Sequence, residues 1–131
     1  MLLVTIAAVV LLAMAADNAY EFVIIYRARG KSQASMLEAH SRIVEAGEVI
    51  GFILAGALLY LSELDIVAVI ALIALGIYHL LGALSTEQMM SKFPEERLRK
   101  MLGLVMTVCL VEVVVAVSFV AWLASSGLIS L

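Results

Sequence analysis

Six polar residues sit where this chain is otherwise apolar: Asp17, Asn18, Glu21, Glu48, His79 and Glu112. Glu112 is the plainest case, set between "VCLV" and "VVVAV". Ionisable groups in a hydrocarbon setting are costly, and they mark proton relays, ion paths or buried pairs. Carboxylates grouped with an imidazole have the chemistry to hold and pass protons or to bind a cation. Asp17 and Glu21 are spaced i,i+4, and Glu45 and Glu48 are spaced i,i+3, so each pair shares one helix face. Pointing these faces inward, or into contacts between protomers, is the cheapest arrangement. Bland readings stand beside this one. Glu21 and Glu45 could reach water or pair with Arg27, Arg29 or Arg42, and His79, next to Tyr78, could be a hydrogen-bonded core histidine.

The spacing does not assign a metal. The di-iron pattern of helical bundles uses Glu-x-x-His on two helices. Neither His40 nor His79 has a glutamate three residues before it, and Glu38 is only two before His40. Haem has no facing pair of histidines. Cys109 is the single cysteine, deep in an apolar run, and reads as an inert buried thiol. No P-loop, dinucleotide fingerprint or nucleophile elbow is present.

The elements that must position these groups follow from composition. Of 131 residues, 65% are hydrophobic, and the mean hydropathy is +1.15; an ordinary soluble domain is about 45–50% apolar. The expectation is a single transmembrane domain over residues 1–131. A spanning helix needs about 20 mostly apolar residues, and four segments qualify: 2–26, 43–61, 66–84 and 101–123. An amphipathic turn or two from about Ser35 precedes the second, and "FPEERLRK" precedes the fourth. Pro94 suits a first helical turn, and Glu95 and Glu96 suit the positive end of the helix dipole. The first segment has the small residues of a signal peptide but no basic start, and reads as a retained helix.

Short links make consecutive helices antiparallel, so the expected fold is an all-α, up-down-up-down, integral membrane four-helix bundle. All eight Lys and Arg lie at positions 27, 29, 31, 42, 92, 97, 99 and 100. The positive-inside rule then places loops 27–42 and 85–100 in the cytoplasm and both termini on the far side, with a prokaryotic plasma membrane as the expected location. Those basic residues lie where anionic lipid headgroups explain them, so nucleic-acid binding has no support. Counting 1.5 Å per residue from the cytoplasmic ends places Glu21, Glu48 and His79 about 9 Å deep, and Asp17 and Glu112 at roughly 15–18 Å. Gly47, Gly51 and Ala55 form a stripe of small residues for close helix contact, and four helices enclose a thin interior, so a homo-oligomer is expected.

The stretch "EAHSRIVEAGEVIGF" resembles the second helix of the MAPEG family (membrane-associated proteins in eicosanoid and glutathione metabolism), with matches at Ala39, His40 and Glu45. "ALGIYHLLGAL" is similar to that family's third-helix motif at His79 and Gly82, and "RKMLGLVMT" to its fourth-helix motif at Arg99, Gly103 and Thr107. The resemblance covers most of the chain through short, loose motifs. It implies a trimer that binds glutathione and acts as a transferase or peroxidase on lipophilic substrates. Arg42, Glu45, His79 and Arg99 would then contact the cofactor, with Arg42 and Arg99 as the catalytic cations, since a nearby cation activates a thiol. The departures fall at the same place. Glu38, Arg42 and Gly76 stand where the family has arginine, asparagine and arginine, and Glu48 adds an acid that would repel an anionic tripeptide. Two other readings therefore stay open: a small ion-, proton- or metal-handling bundle built on the buried carboxylates, and a non-catalytic subunit of a membrane complex.

Overall fold

The computed structural model describes the backbone of residues 1–41 and 45–129, and the side chains of these except residues 40, 41, 45, 46 and 82–90. Five helices make up these residues: α1 (Leu2–Arg29), α2 (Gln33–Ser41), α3 (Glu45–Leu61), α4 (Ile66–Met90) and α5 (Glu95–Ser125). The amphipathic lead-in to the second span is helical over Gln33–Ser41. α4 runs six residues beyond the expected span, and α5 begins six residues before it.

The ends of the elements follow local chemistry. The Val67 amide donates to the Asp65 carboxylate at 2.8 Å, so Asp65 caps α4. Glu95 and Glu96 occupy the first turn of α5, and Pro94 is its cap residue rather than its first helical one. α5 stops at Gly127, which takes φ +70°, while the Leu128 amide bonds back to the Leu123 carbonyl at 3.0 Å. α3 ends in the same way, with the Leu64 amide on the Leu59 carbonyl at 3.2 Å. There the left-handed position is Glu63, at φ 55°. A Cβ is unfavourable in that region, so Glu63→Gly should raise stability by about 0.5–1 kcal/mol. Thermal unfolding in detergent measures this, and an unchanged or lower midpoint would contradict it.

The helices pack in a sequence. α5 lies on α1, α1 on α3, and α3 on α4, while α2 closes over α1 and α5. The main apolar core joins Leu11, Phe52, Leu59, Leu72, Val120 and Leu123 from four helices. A smaller one joins Ile25, Met36, Leu98 and Leu102 near α2. Close approach is made by glycines: a Cβ on Gly51 would overlap the Met14 sulfur of α1, and one on Gly76 would lie 2.8 Å from Ile53 of α3. Gly51 and Ala55 are buried in helix contacts, but Gly47, two residues into α3, is exposed. The small-residue stripe therefore begins at Gly51.

Among the described residues, α4 and α5 are loosely joined. A cavity of about 80 Å³ lies among α1, α3, α4 and α5, lined by Leu11, Phe52, Ala71, Leu75, Glu112, Val115 and Phe119. A shallower opening of about 300 Å³, with Asp65 and Trp122 on its walls, shares Ala68, Ala71 and Phe119 with it.

α1 and α5 are each long and apolar enough to cross a membrane, while the apolar stretches of α3 and α4 among the described residues, Gly47–Leu61 and Ile66–Leu81, are shorter. Large apolar side chains cover the outside of all four, among them Val9, Ile50, Ile70, Leu81, Leu104 and Val114.

Candidate functional site

Four helices bring their polar groups to one place. α1 contributes Asp17, Asn18 and Glu21; α3 contributes Glu48; α4 contributes His79; α5 contributes Cys109 and Glu112. Asn18, Glu21, Glu48, His79 and Glu112 are buried, with His79 the most accessible at 8%.

His79 is the centre. Its Nε2 lies 2.9 Å from Glu112 Oε1, and its Nδ1 lies 2.7 Å from Glu48 Oε2. The contact with Glu48 is an ion pair only when the ring is protonated. Phe52, one turn after Glu48, stacks on the imidazole at 5.5 Å between centroids and 16° between planes. Tyr78 meets the ring edge-on at 5.3 Å. Gly76, one turn before His79, lets α4 approach the Val49 carbonyl and Ile53 of α3. The ring plane and its distance from Glu48 thus follow from Phe52 and Gly76 together.

The other carboxylates adjoin this triad. Asp17, Glu21 and Glu48 each have an oxygen within 4.8 Å of the others, and Glu48, His79 and Glu112 meet the same limit. Glu48 belongs to both groups. The Cys109 thiol donates to Glu21 Oε2 at 3.8 Å, a contact between α5 and α1 that the sequence reading did not anticipate. Cys109 precedes Glu112 by three residues, so a shared face could have suggested it. Asn18 donates to the Met14 carbonyl at 3.0 Å. Among the described residues, Asn18 Oδ1, Glu48 Oε1 and Glu112 Oε2 are buried acceptors without a donor.

The depth count separated His79 from Glu112 by about a helical turn, whereas the structure places them in direct contact. Counting from the ends of apolar runs assumes helices whose ends lie in one plane; His79 lies 11 residues from Met90 and Glu112 17 residues from Glu95, so their contact requires α4 and α5 to be offset or tilted relative to each other.

Of the residues expected to hold a thiol cofactor, Arg99 and His79 have described side chains. Arg42 lies outside the described residues, as do the side chains of His40 and Glu45. Arg99 pairs with Glu95 at 2.7 Å on an exposed face of α5, and its carbonyl accepts from Arg29 Nε at 3.1 Å. His79 is held between two carboxylates.

Fold and site define the class: an all-helical protein, with two helices able to cross a membrane, that buries a carboxylate–histidine–carboxylate triad. Comparison with protein-family models, with curated proteins and with solved structures finds no match to this chain.

Proposed function

We propose that this protein is an integral membrane four-helix bundle that takes up and relays protons through Glu48, His79 and Glu112. The observation that carries the reading is His79 itself, buried, with each ring nitrogen beside a carboxylate from a different helix. An imidazole so placed passes a proton by accepting at one nitrogen and releasing from the other. A protonated Glu112 gives its proton to Nε2, and the proton on Nδ1 goes to the Glu48 carboxylate. Once Glu48 has passed its proton on, ring rotation restores the starting tautomer for the next proton. Asp17 and Glu21 extend the acidic path beyond Glu48.

The membrane setting is supported by composition and by the aliphatic outer surface, which exceeds what a soluble monomer leaves uncovered. In this reading α1, α3, α4 and α5 are the four spans. The grouping of Lys and Arg supports cytoplasmic loops at 27–42 and 85–100, with both termini opposite. The same outer surface suits association of copies within the bilayer. A thiol-dependent transferase rests on the family resemblance alone.

The test is proton flux in proteoliposomes, driven by a potassium diffusion potential and read with an entrapped pH dye. Wild-type protein should conduct, and Glu112→Gln should lower the flux by on the order of a hundredfold, as removal of a positioned proton-transfer group does. Flux unchanged in both Glu112→Gln and Glu48→Gln would sink the reading.

A further inference from the structure

We infer that the same triad is a binding site for one divalent transition-metal ion, held by His79, Glu48 and Glu112. This rests on the triad being a cation-binding unit, as proposed above, and names a second cation that it takes.

Three observations carry the inference. The first is the donor set. One imidazole nitrogen and two carboxylate oxygens, from three helices, already lie within 4.8 Å of one another. Zinc and its neighbours bind such donors at about 2.0–2.2 Å, which places ligand atoms roughly 3–3.5 Å apart. The 2.9 Å between His79 Nε2 and Glu112 Oε1 is close to that separation, and the Glu48 carboxylate, which faces Nδ1, would have to swing toward one ring nitrogen to join them.

The second is acceptor capacity without donors. Glu48 is 0% exposed and Glu112 is 3% exposed, yet Glu48 Oε1 and Glu112 Oε2 have no hydrogen-bond donor among the described residues. A buried carboxylate oxygen is normally satisfied. A cation seated between these groups meets that demand, which the imidazole alone does not.

The third is charge. α3 and α4 contain no lysine or arginine, and those of α5 lie at its start, at positions 97, 99 and 100. Two carboxylates and a neutral imidazole balance one dication, while Asp17 and Glu21 add negative potential from α1. Nitrogen and oxygen donors without a thiolate favour zinc, manganese, iron or cobalt over magnesium and calcium, which prefer oxygen alone. Cys109 lies against Glu21, beside the site and outside the donor set. Sequence spacing could not show such a site, because each ligand comes from a different helix.

The experiment uses the full chain, purified in detergent and stripped with a chelator. Cobalt(II) is titrated in, followed by its visible absorption, and zinc is then added in competition. One cobalt per chain is expected, with a ligand-field band that zinc abolishes. Glu48→Gln and Glu112→Gln should each weaken binding by at least about tenfold while eluting as the wild type in gel filtration. Lys92→Gln serves as the unaffected control. Absence of bound cobalt overturns the inference, as does binding that ignores both substitutions. In either case proton flux, measured on chelator-treated protein, still decides the relay reading by itself.

Discussion

Replacing His79 with leucine is expected to lower the stability of the detergent-solubilised protein by about 3–5 kcal/mol, the cost of leaving buried charge without its partner. Glu48 and Glu112 would then face each other across the space the ring had filled, with Asp17 and Glu21 close by. Replacing Glu48, His79 and Glu112 together with leucine should have a much smaller effect, or should stabilise by about 1–4 kcal/mol, because burying a charged set is costly even when it is paired. Denaturant titration followed by Trp122 fluorescence provides the comparison. A His79→Leu variant as stable as the wild type would mean that the triad carries little interaction energy. A triple variant worse than the single would mean that the triad is there to hold the fold. The expected order assigns it to function.

The second large effect is expected at Gly76. A Cβ there would lie 2.8 Å from Ile53 Cγ1 and 3.4 Å from the Val49 carbonyl oxygen. The side chain can turn away, but the backbone of α3 cannot. Gly76→Leu should therefore cost about 1–3 kcal/mol in strain and push α4 from α3, opening the 2.7 Å contact between His79 and Glu48. Proton flux and cobalt binding should both fall in this variant, although no polar atom has been changed. Gly76→Ala should show a smaller loss of both. Equal flux in wild type and Gly76→Leu would show that the closeness of α3 and α4 does not matter to the site.

The four apolar segments were legible because hydrophobic runs of sufficient length are hard to mistake. Their ends were less so. Hydropathy stops at the last apolar residue, but α4 continues through "STEQMM", whose residues are helix-compatible though polar. The acidic first turn of α5 was readable because capping is local. Within the site, the identities of Glu48, His79 and Glu112 were plain, since each is an ionisable residue in an apolar helix. Their partnership was not. Helical periodicity relates residues on one helix, whereas His79 meets one carboxylate from α3 and another from α5, which depends on helix rotation and offset. Glu21 and Cys109 illustrate the same limit, meeting only because α1 lies on α5.

The loose join between α4 and α5 gives the triad a mechanical meaning. The molecule resembles an open book: α1 and α5 form one cover, α3 and α4 the other, and the contact of α1 with α3 is the spine. His79 and Glu112 form a clasp across the open edge. Apolar seams respond to volume and shape, but this clasp responds to charge. On the proposed function, removing its proton or cation would set Glu48 and Glu112 against each other and weaken the contact that joins α4 to α5. On the same proposed function, loading the site would hold the two covers together.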